Sequence, residues 1–136
     1  MIRGPILTRG CPQCPITLRM DGTHGTKPRS PVRGIGPSKP RVIVLAEGPG
    51  REETQQGKPL IGPTGKLFEK ALMKAGLKRE EVWLGNVSSC QPPRGFDKDE
   101  NMPAVVKACW GRTLTELKAL PNVPILLLGK FAAQAF

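Results

Sequence analysis

"RVIVLAEGPGREETQQGKPLIGPTGKLFEKALMKAG" spans residues 41–76 and carries three patterns in succession. Arg41 to Ala46 is a β-branched apolar run that reads as a buried strand. Gly65 to Ala75 places Leu67, Ala71, Leu72 and Ala75 on one side and Lys66, Glu69, Lys70 and Lys74 mostly on the other, which reads as an amphipathic helix. Gly76 stands where a helix C-terminal glycine is expected. Strand, glycine-rich loop and helix are also the parts of a phosphate cradle. The loop from Glu47 to Gly65 lacks the G-x-G-x-x-G spacing and the G-K-[ST] ending of such cradles, and it carries Glu47, Glu52 and Glu53 where a phosphate would be repelled.

Working outward, the alternation continues. Val82 to Ser88 reads as a second strand and Pro103 to Leu120 as a second helix, opened by proline in its first turn and stopped by Pro121. Gly111 inside that helix costs about 1 kcal/mol against alanine. Ile125 to Leu128 reads as a third strand, and Lys130 to Phe136 begins a third helix. Apolar strands separated by helices predict an α/β fold, a parallel sheet covered by helices. Because the chain stops inside a helix after only three strands, a further C-terminal piece is expected. There are no internal repeats. Residues 22–40, "GTHGTKPRSPVRGIGPSKP", are rich in Gly, Pro and basic residues and predict an irregular loop. The chain thus divides into an N-terminal arm and basic loop, residues 1–40, and a folded body, residues 41–136.

The 136 residues include 21 Lys and Arg against 11 Asp and Glu, a net charge of +10. Residues 1–40 hold seven basic residues and one acidic one. A field of that sign suits a polyanion such as DNA or RNA, and suits equally a solvated basic arm. The longest apolar run, Val123 to Gly129, is broken by Pro124 and falls far short of the ~20 residues that a membrane-spanning helix needs. The N-terminus has no apolar signal core, so a cytoplasmic protein without membrane contact is expected.

Four cysteines stand at 11, 14, 90 and 109: a C-P-Q-C hook and two single residues. The hook in a cytoplasmic chain argues against disulfides. Structural zinc sites usually draw ligands from two close pairs, and only one pair is close here. One hook plus two single cysteines fits an iron-sulfur cluster at least as well, and spacing alone leaves cluster, zinc and unrelated thiols open.

Ligands of open parallel sheets collect beyond the carboxyl ends of the strands. The loops after the first two strands, "AEGPG" and "GNVSSCQPP", should therefore be neighbours and bring Glu47, Gly48 and Gly50 near Asn86. At these residues the chain resembles a known family. "LAEGPGREETQQGKPLIGPTG", "NVSSCQPP" and "ILLLGKFAAQA" look like the iron-sulfur uracil-DNA glycosylases of family 4 and their phage polymerase-associated relatives, and the likeness runs from Cys11 to Phe136. It implies a three-layer α/β/α sandwich with a central parallel sheet whose last strand is missing here. It also implies a 4Fe-4S cluster on Cys11, Cys14, Cys90 and Cys109, zinc being the alternative. The activity implied is base excision repair: hydrolysis of the N-glycosidic bond of uracil in single- or double-stranded DNA by a monomer. Such an enzyme must flip the base into a closed pocket. Asn86 would accept from uracil N3–H and donate to O4, a pattern that cytosine reverses. Glu47 would orient the attacking water and stabilise positive charge on the sugar. Gly48 and Gly50 would let the backbone approach the base, and Gly57, Gly62 and Gly65 match glycines of the family's loop. Lys27, Arg29, Arg33 and Arg94 would meet phosphates or are ordinary surface charge.

Three positions depart from the family. Its uracil-stacking phenylalanine is Leu60, its aspartate after the second glutamate is Thr54, and its C-terminal His-Pro-Ser loop is absent, His24 being the only histidine. Alone, the 136 residues are therefore expected to have little activity. Leu60 opens the alternative of another deaminated base. The absent histidine opens that of a non-catalytic, cluster-bearing DNA-binding or polymerase-associated protein.

Overall fold

The computed structural model describes residues 14–16 and 31–136. In chain order the elements are β1 (Val42–Ala46), α1 (Arg51–Gln56), α2 (Pro63–Lys74), β2 (Val82–Asn86), α3 (Lys98–Lys118), β3 (Ile125–Leu127) and α4 (Lys130–Gln134). The three strands form a parallel sheet in the order β2-β1-β3. Val42 lies opposite Val82 and Ala46 opposite Asn86, so the carboxyl ends of β1 and β2 leave the sheet side by side. The chain steps from β1 to β2 on one edge and returns across β1 to β3, which makes the end of β1 a switch point.

Side chains alternate across each strand, and the two faces bury different sets. Ile43, Leu45 and Trp83 pack with Met102, Val105 and Val106 of α3 and with Phe131 and Ala132 of α4. Val44, Ala46, Val82 and Leu84 pack on the opposite face with Leu60 and with Phe68 and Leu72 of α2. Helices thus cover both faces, and the expected α/β/α layering is present. Among the described residues no helix is long and apolar enough to cross a membrane.

Five local readings change. The loop after β1 contains α1, six residues between Gly50 and Gly57, too short to show a helical period in sequence. α2 starts at Pro63 and buries Gly65, Phe68 and Leu72, while Leu67 is 69% exposed. The i, i+4 pair Phe68 and Leu72 sets the inward face in place of the Leu67 stripe. α3 starts five residues before Pro103, because Asp97 caps it by accepting from Glu100 N at 3.0 Å. β3 is not buried on both faces: Ile125 and Leu126 are 41% and 46% exposed. Finally, residues 31–36 are irregular as expected but are tied to the sheet edge rather than wholly solvated. Val32 is buried, and Ile35 forms an antiparallel bridge with Leu84 on the outer edge of β2. Gly76 does end α2, in the left-handed region at φ 73°.

Candidate active site

A cavity of about 510 Å³ opens beyond the carboxyl ends of β1 and β2. Glu47, Gly48, Gly50, Leu60 and Asn86, which the sequence places in three separate motifs, all line it. Cys11, His24, Lys27 and Arg29 lie outside the described residues. Arg33 and Arg94 are exposed and are not part of the wall. Thr54 closes a turn of α1, its hydroxyl donating to Gly50 O at 2.8 Å.

Asn86 ends a strand buried at all five positions and is itself 3% exposed. It falls on the face of Val82 and Leu84, whose side chains join Leu60 and Ala46. That parity aims its amide into the cavity. No hydrogen bond among the described residues engages this side-chain amide, whereas its main-chain carbonyl accepts from Arg112 Nη2 at 2.8 Å. The amide borders the cavity and is open to a ligand of matching polarity.

Glu47 continues β1 by one residue. Its Oε1 accepts from Phe131 N at 3.4 Å and lies against Gly129. A Cβ at Gly129 would fall 2.3 Å from Oε1, and φ there is 96°, so glycine is required on both counts. The loop after β3 therefore seats the carboxylate.

Another part of the wall is built around Glu53. This side chain accepts from three backbone N–H groups: Gly50 at 3.1 Å, Ile61 at 3.0 Å and Gly62 at 2.7 Å. Partial burial pushes the Glu53 pKa up, but the backbone bonds, from Gly62 first, outweigh it and hold the carboxyl below its ordinary value. The turn so gripped contains Leu60, a non-glycine residue at φ 51°, a conformation that costs an L-residue ~1–2 kcal/mol. Close packing fixes it from behind: Arg79 Nη2 donates to Pro59 O at 2.6 Å, and a Cβ at Gly65 would fall 2.1 Å from Leu60 O. Leu60 is thus an apolar panel of the cavity, held by its own loop.

Sequence reasoning misses several of these parts. Met102 of α3, buried, adds apolar surface, and Arg51 and Lys98 are the cations that line the cavity among the described residues. Glu53 reads in sequence only as an obstacle to phosphate. Arg112 carries one signal in sequence: it falls on the stripe of Val105 and Cys109, and Glu116 follows it at i+4.

Of the cysteines, Cys14 and Cys109 are buried and Cys90 is half-buried, and Cys14 and Cys90 meet at one apolar cluster. Among the described residues no group of three or more His, Cys, Asp or Glu side chains could hold a metal ion. Two buried polar atoms there lack a hydrogen-bond partner, Ser89 Oγ and Arg112 Nε. Ser89 precedes Cys90, and Arg112 follows Cys109 by one helical turn.

The α/β/α sandwich, with a cavity at its switch point, agrees in fold with what the family comparison finds. The family model of the uracil DNA glycosylase superfamily matches residues 33–136, and the chain belongs to that superfamily. Within it the chain is similar to type-4 uracil-DNA glycosylases. It is 40% identical over 120 residues to that of Archaeoglobus fulgidus, covering 88% of this chain and 58% of the relative. The type-4 uracil-DNA glycosylase of Pyrobaculum aerophilum is 30% identical over 129 residues, 95% of this chain and 60% of the relative. That of Thermotoga maritima is 30% identical over 126 residues, 93% of this chain and 60% of its own length. The chain thus spans about three fifths of the length of these three relatives.

Proposed function

We propose that the protein is a DNA repair glycosylase that hydrolyses the N-glycosidic bond of uracil in DNA. One observation carries this reading: the unengaged Asn86 amide faces a cavity whose wall also holds the Glu47 carboxylate. A flipped uracil would meet the Asn86 carbonyl at N3–H and its amine at O4, satisfying an amide that cytosine would leave mispaired. Glu47, anchored by Phe131 N, would orient water toward the sugar carbon and stabilise the charge that develops there. Leu60 would close the pocket against the base by apolar contact in place of ring stacking. Arg51 and Lys98 stand where flanking phosphates would pass, and the net +10 favours the polyanion.

For the cysteines, the reading is a 4Fe-4S cluster on Cys11, Cys14, Cys90 and Cys109. The donor set fits by chemistry, since soft thiolates suit iron-sulfur clusters or zinc. The unpartnered Ser89 hydroxyl, next to Cys90 in sequence, is a donor that suits a sulfur-rich group. When bound, the cluster supplies a cross-link between the N-terminal segment, the loop after β2 and α3. Cys90→Ser should release it and lower the unfolding temperature together.

The test uses the product of the complete reading frame, purified anaerobically, on duplexes and single strands containing U, hypoxanthine or xanthine. Excision of uracil with stoichiometric iron and sulfide supports the proposal. Cleavage of hypoxanthine but not uracil would show that Leu60 has changed the base. DNA binding without any excision would make the protein a non-catalytic binder, and zinc without iron would replace the cluster.

A further inference from the structure

Arg112 is 4% exposed, an unusual place for a guanidinium, and its partners explain why it is there. Residues 31–36 run antiparallel along the outer edge of β2, with Ile35 N donating to Leu84 O and Leu84 N donating to Ile35 O, both at 2.8 Å. Carbonyls two residues apart on a strand point to the same edge, so Asn86 O faces the same neighbour as Leu84 O. In a continuing antiparallel ladder the residue opposite Asn86 would be Arg33. Instead Asn86 O accepts from Arg112 Nη2 at 2.8 Å. Arg112 Nη1 pairs with Glu116 Oε1, and Glu116 Oε2 accepts from Gly34 N at 2.8 Å. The ion pair on α3 is inserted between two strands that diverge, with the guanidinium serving one and the carboxylate the other. Gly34 is seated so closely that a Cβ there would lie 2.1 Å from the Trp83 ring and 2.5 Å from Glu116 Oε2. Beyond this gap Val32 N donates to Ser89 O at 2.7 Å, in the loop after β2.

We propose that Arg112 is a positioning residue for base recognition: its bond to Asn86 O sets the peptide plane at the end of β2 and thereby the direction in which the Asn86 amide enters the cavity. The inference rests on the reading of Asn86 as the base-selecting residue. Without Arg112, Asn86 would sit at a strand end held on its β1 side alone. A side chain on a rigid helix pins it where main-chain pairing stops. A buried charge explains the choice of arginine, because only its planar fork reaches a carbonyl and a carboxylate at once.

The experiment uses the full-length protein and three forms: wild type, Arg112→Lys, and the double variant Arg112→Met with Glu116→Gln. The double variant removes both charges, which avoids leaving one buried alone, and the amide oxygen introduced by Glu116→Gln can still accept from Gly34 N. Uracil excision under steady state, unfolding temperature and iron content are measured for each. The expected result for the double variant is a kcat at least ~10-fold lower, with KM for DNA within about twofold of wild type and iron unchanged, since misplacing a positioned group by ~1 Å can cost about 100-fold. Arg112→Lys, which can reach only one of the two acceptors, should recover part of kcat. A folded double variant with wild-type kcat overturns the inference, as does a loss that appears only in KM or only in iron content. Should the double variant fail to fold, Arg112→Lys decides: full wild-type kcat overturns the inference, a partial loss at constant KM sustains it. Wild-type protein that does not excise uracil is a different failure, that of the proposed function itself.

Discussion

The two walls of the cavity are held by opposite means. The wall from Glu47 to Gly65 is a loop gripped from within, one carboxylate gathering three backbone N–H groups from positions 50, 61 and 62. The wall at Asn86 is the end of a buried strand gripped from outside by the buried guanidinium of Arg112, which is paired with the partly buried Glu116 on α3. The first arrangement is local in sequence and partly solvated, and its strain is concentrated at Leu60. The second joins residues 26 apart and is buried, so it tolerates little change. A pocket that must discriminate between bases places its hydrogen-bonding group on the rigid wall and its shape-fitting panel on the adjustable one.

The sharpest way to break this comparison is to remove the amide. On the proposed function, Asn86→Ala in the full-length protein should lower kcat/KM for uracil by about 10²–10³, the range for losing one preorganised polar group. The backbone bond from Arg112 survives this change, so the unfolding temperature should fall only slightly. A large loss of stability with modest loss of kcat would mean that Asn86 serves the fold and not the base.

Glu53 comes next. Glu53→Ala leaves three backbone donors without their acceptor and should destabilise by about 2 kcal/mol, part of the loss being recovered by water at this half-exposed site. Glu53→Gln should lose less, because its carbonyl still accepts. The wild-type contribution depends on pH. With the folded pKa held below the unfolded one, the unfolded chain takes up the proton first as pH falls. Stability from Glu53 is thus fully present above the unfolded value near ~4.3, and is lost as pH drops through the folded pKa. Denaturant titrations of wild type and Glu53→Gln between neutral and acid pH should converge; curves that stay parallel would detach Glu53 from the acid response.

Glu53 and Arg112 also mark how far the sequence could be read. The three strands, the stop at Gly76 and the gathering of Glu47, Gly48, Gly50 and Asn86 were legible, because apolar runs and strand-end loops obey local rules. The partners of Glu53 and Arg112 were not. Glu53 reaches Ile61 and Gly62 only because α1 and the left-handed Leu60 fold the loop back, and neither has a periodic signature in six residues. Arg112 meets Asn86 only after α3 has packed on the sheet, and a charged helical residue otherwise reads as solvated. Leu67 and Phe68 show the same ambiguity on a smaller scale: adjacent apolar residues on a helix do not reveal which one faces inward until Leu72 and the sheet select Phe68.

Leu60→Phe tests whether the first wall is as adjustable as its construction implies. An aromatic ring at this position can stack on the flipped base, and base stacking on aromatic side chains contributes about 1–3 kcal/mol. The expected gain is at the lower end, near a fivefold fall in KM for uracil-containing DNA, because a β-carbon at φ 51° restricts where the ring can turn. Unchanged KM with impaired kcat would show that the Glu53-held turn is too rigid to re-aim the new side chain.

Gly111→Ala produces the smallest effect and separates rigidity from stability on the second wall. Gly111 lies in α3 immediately before Arg112, on the exposed side, and a Cβ there meets nothing within 4 Å. Alanine should therefore stabilise the helix by about 0.5–1 kcal/mol through propensity alone. The Arg112 and Glu116 contacts point the other way and should be untouched, so uracil kcat should match wild type while the unfolding midpoint rises. If kcat rises with stability, then the second wall is limited by fraying of α3 and the ion pair is less rigid than the burial of Arg112 implies. If kcat is unchanged, any loss seen on altering Arg112 cannot be assigned to general stability, and the difference between the two walls stands as one of geometry.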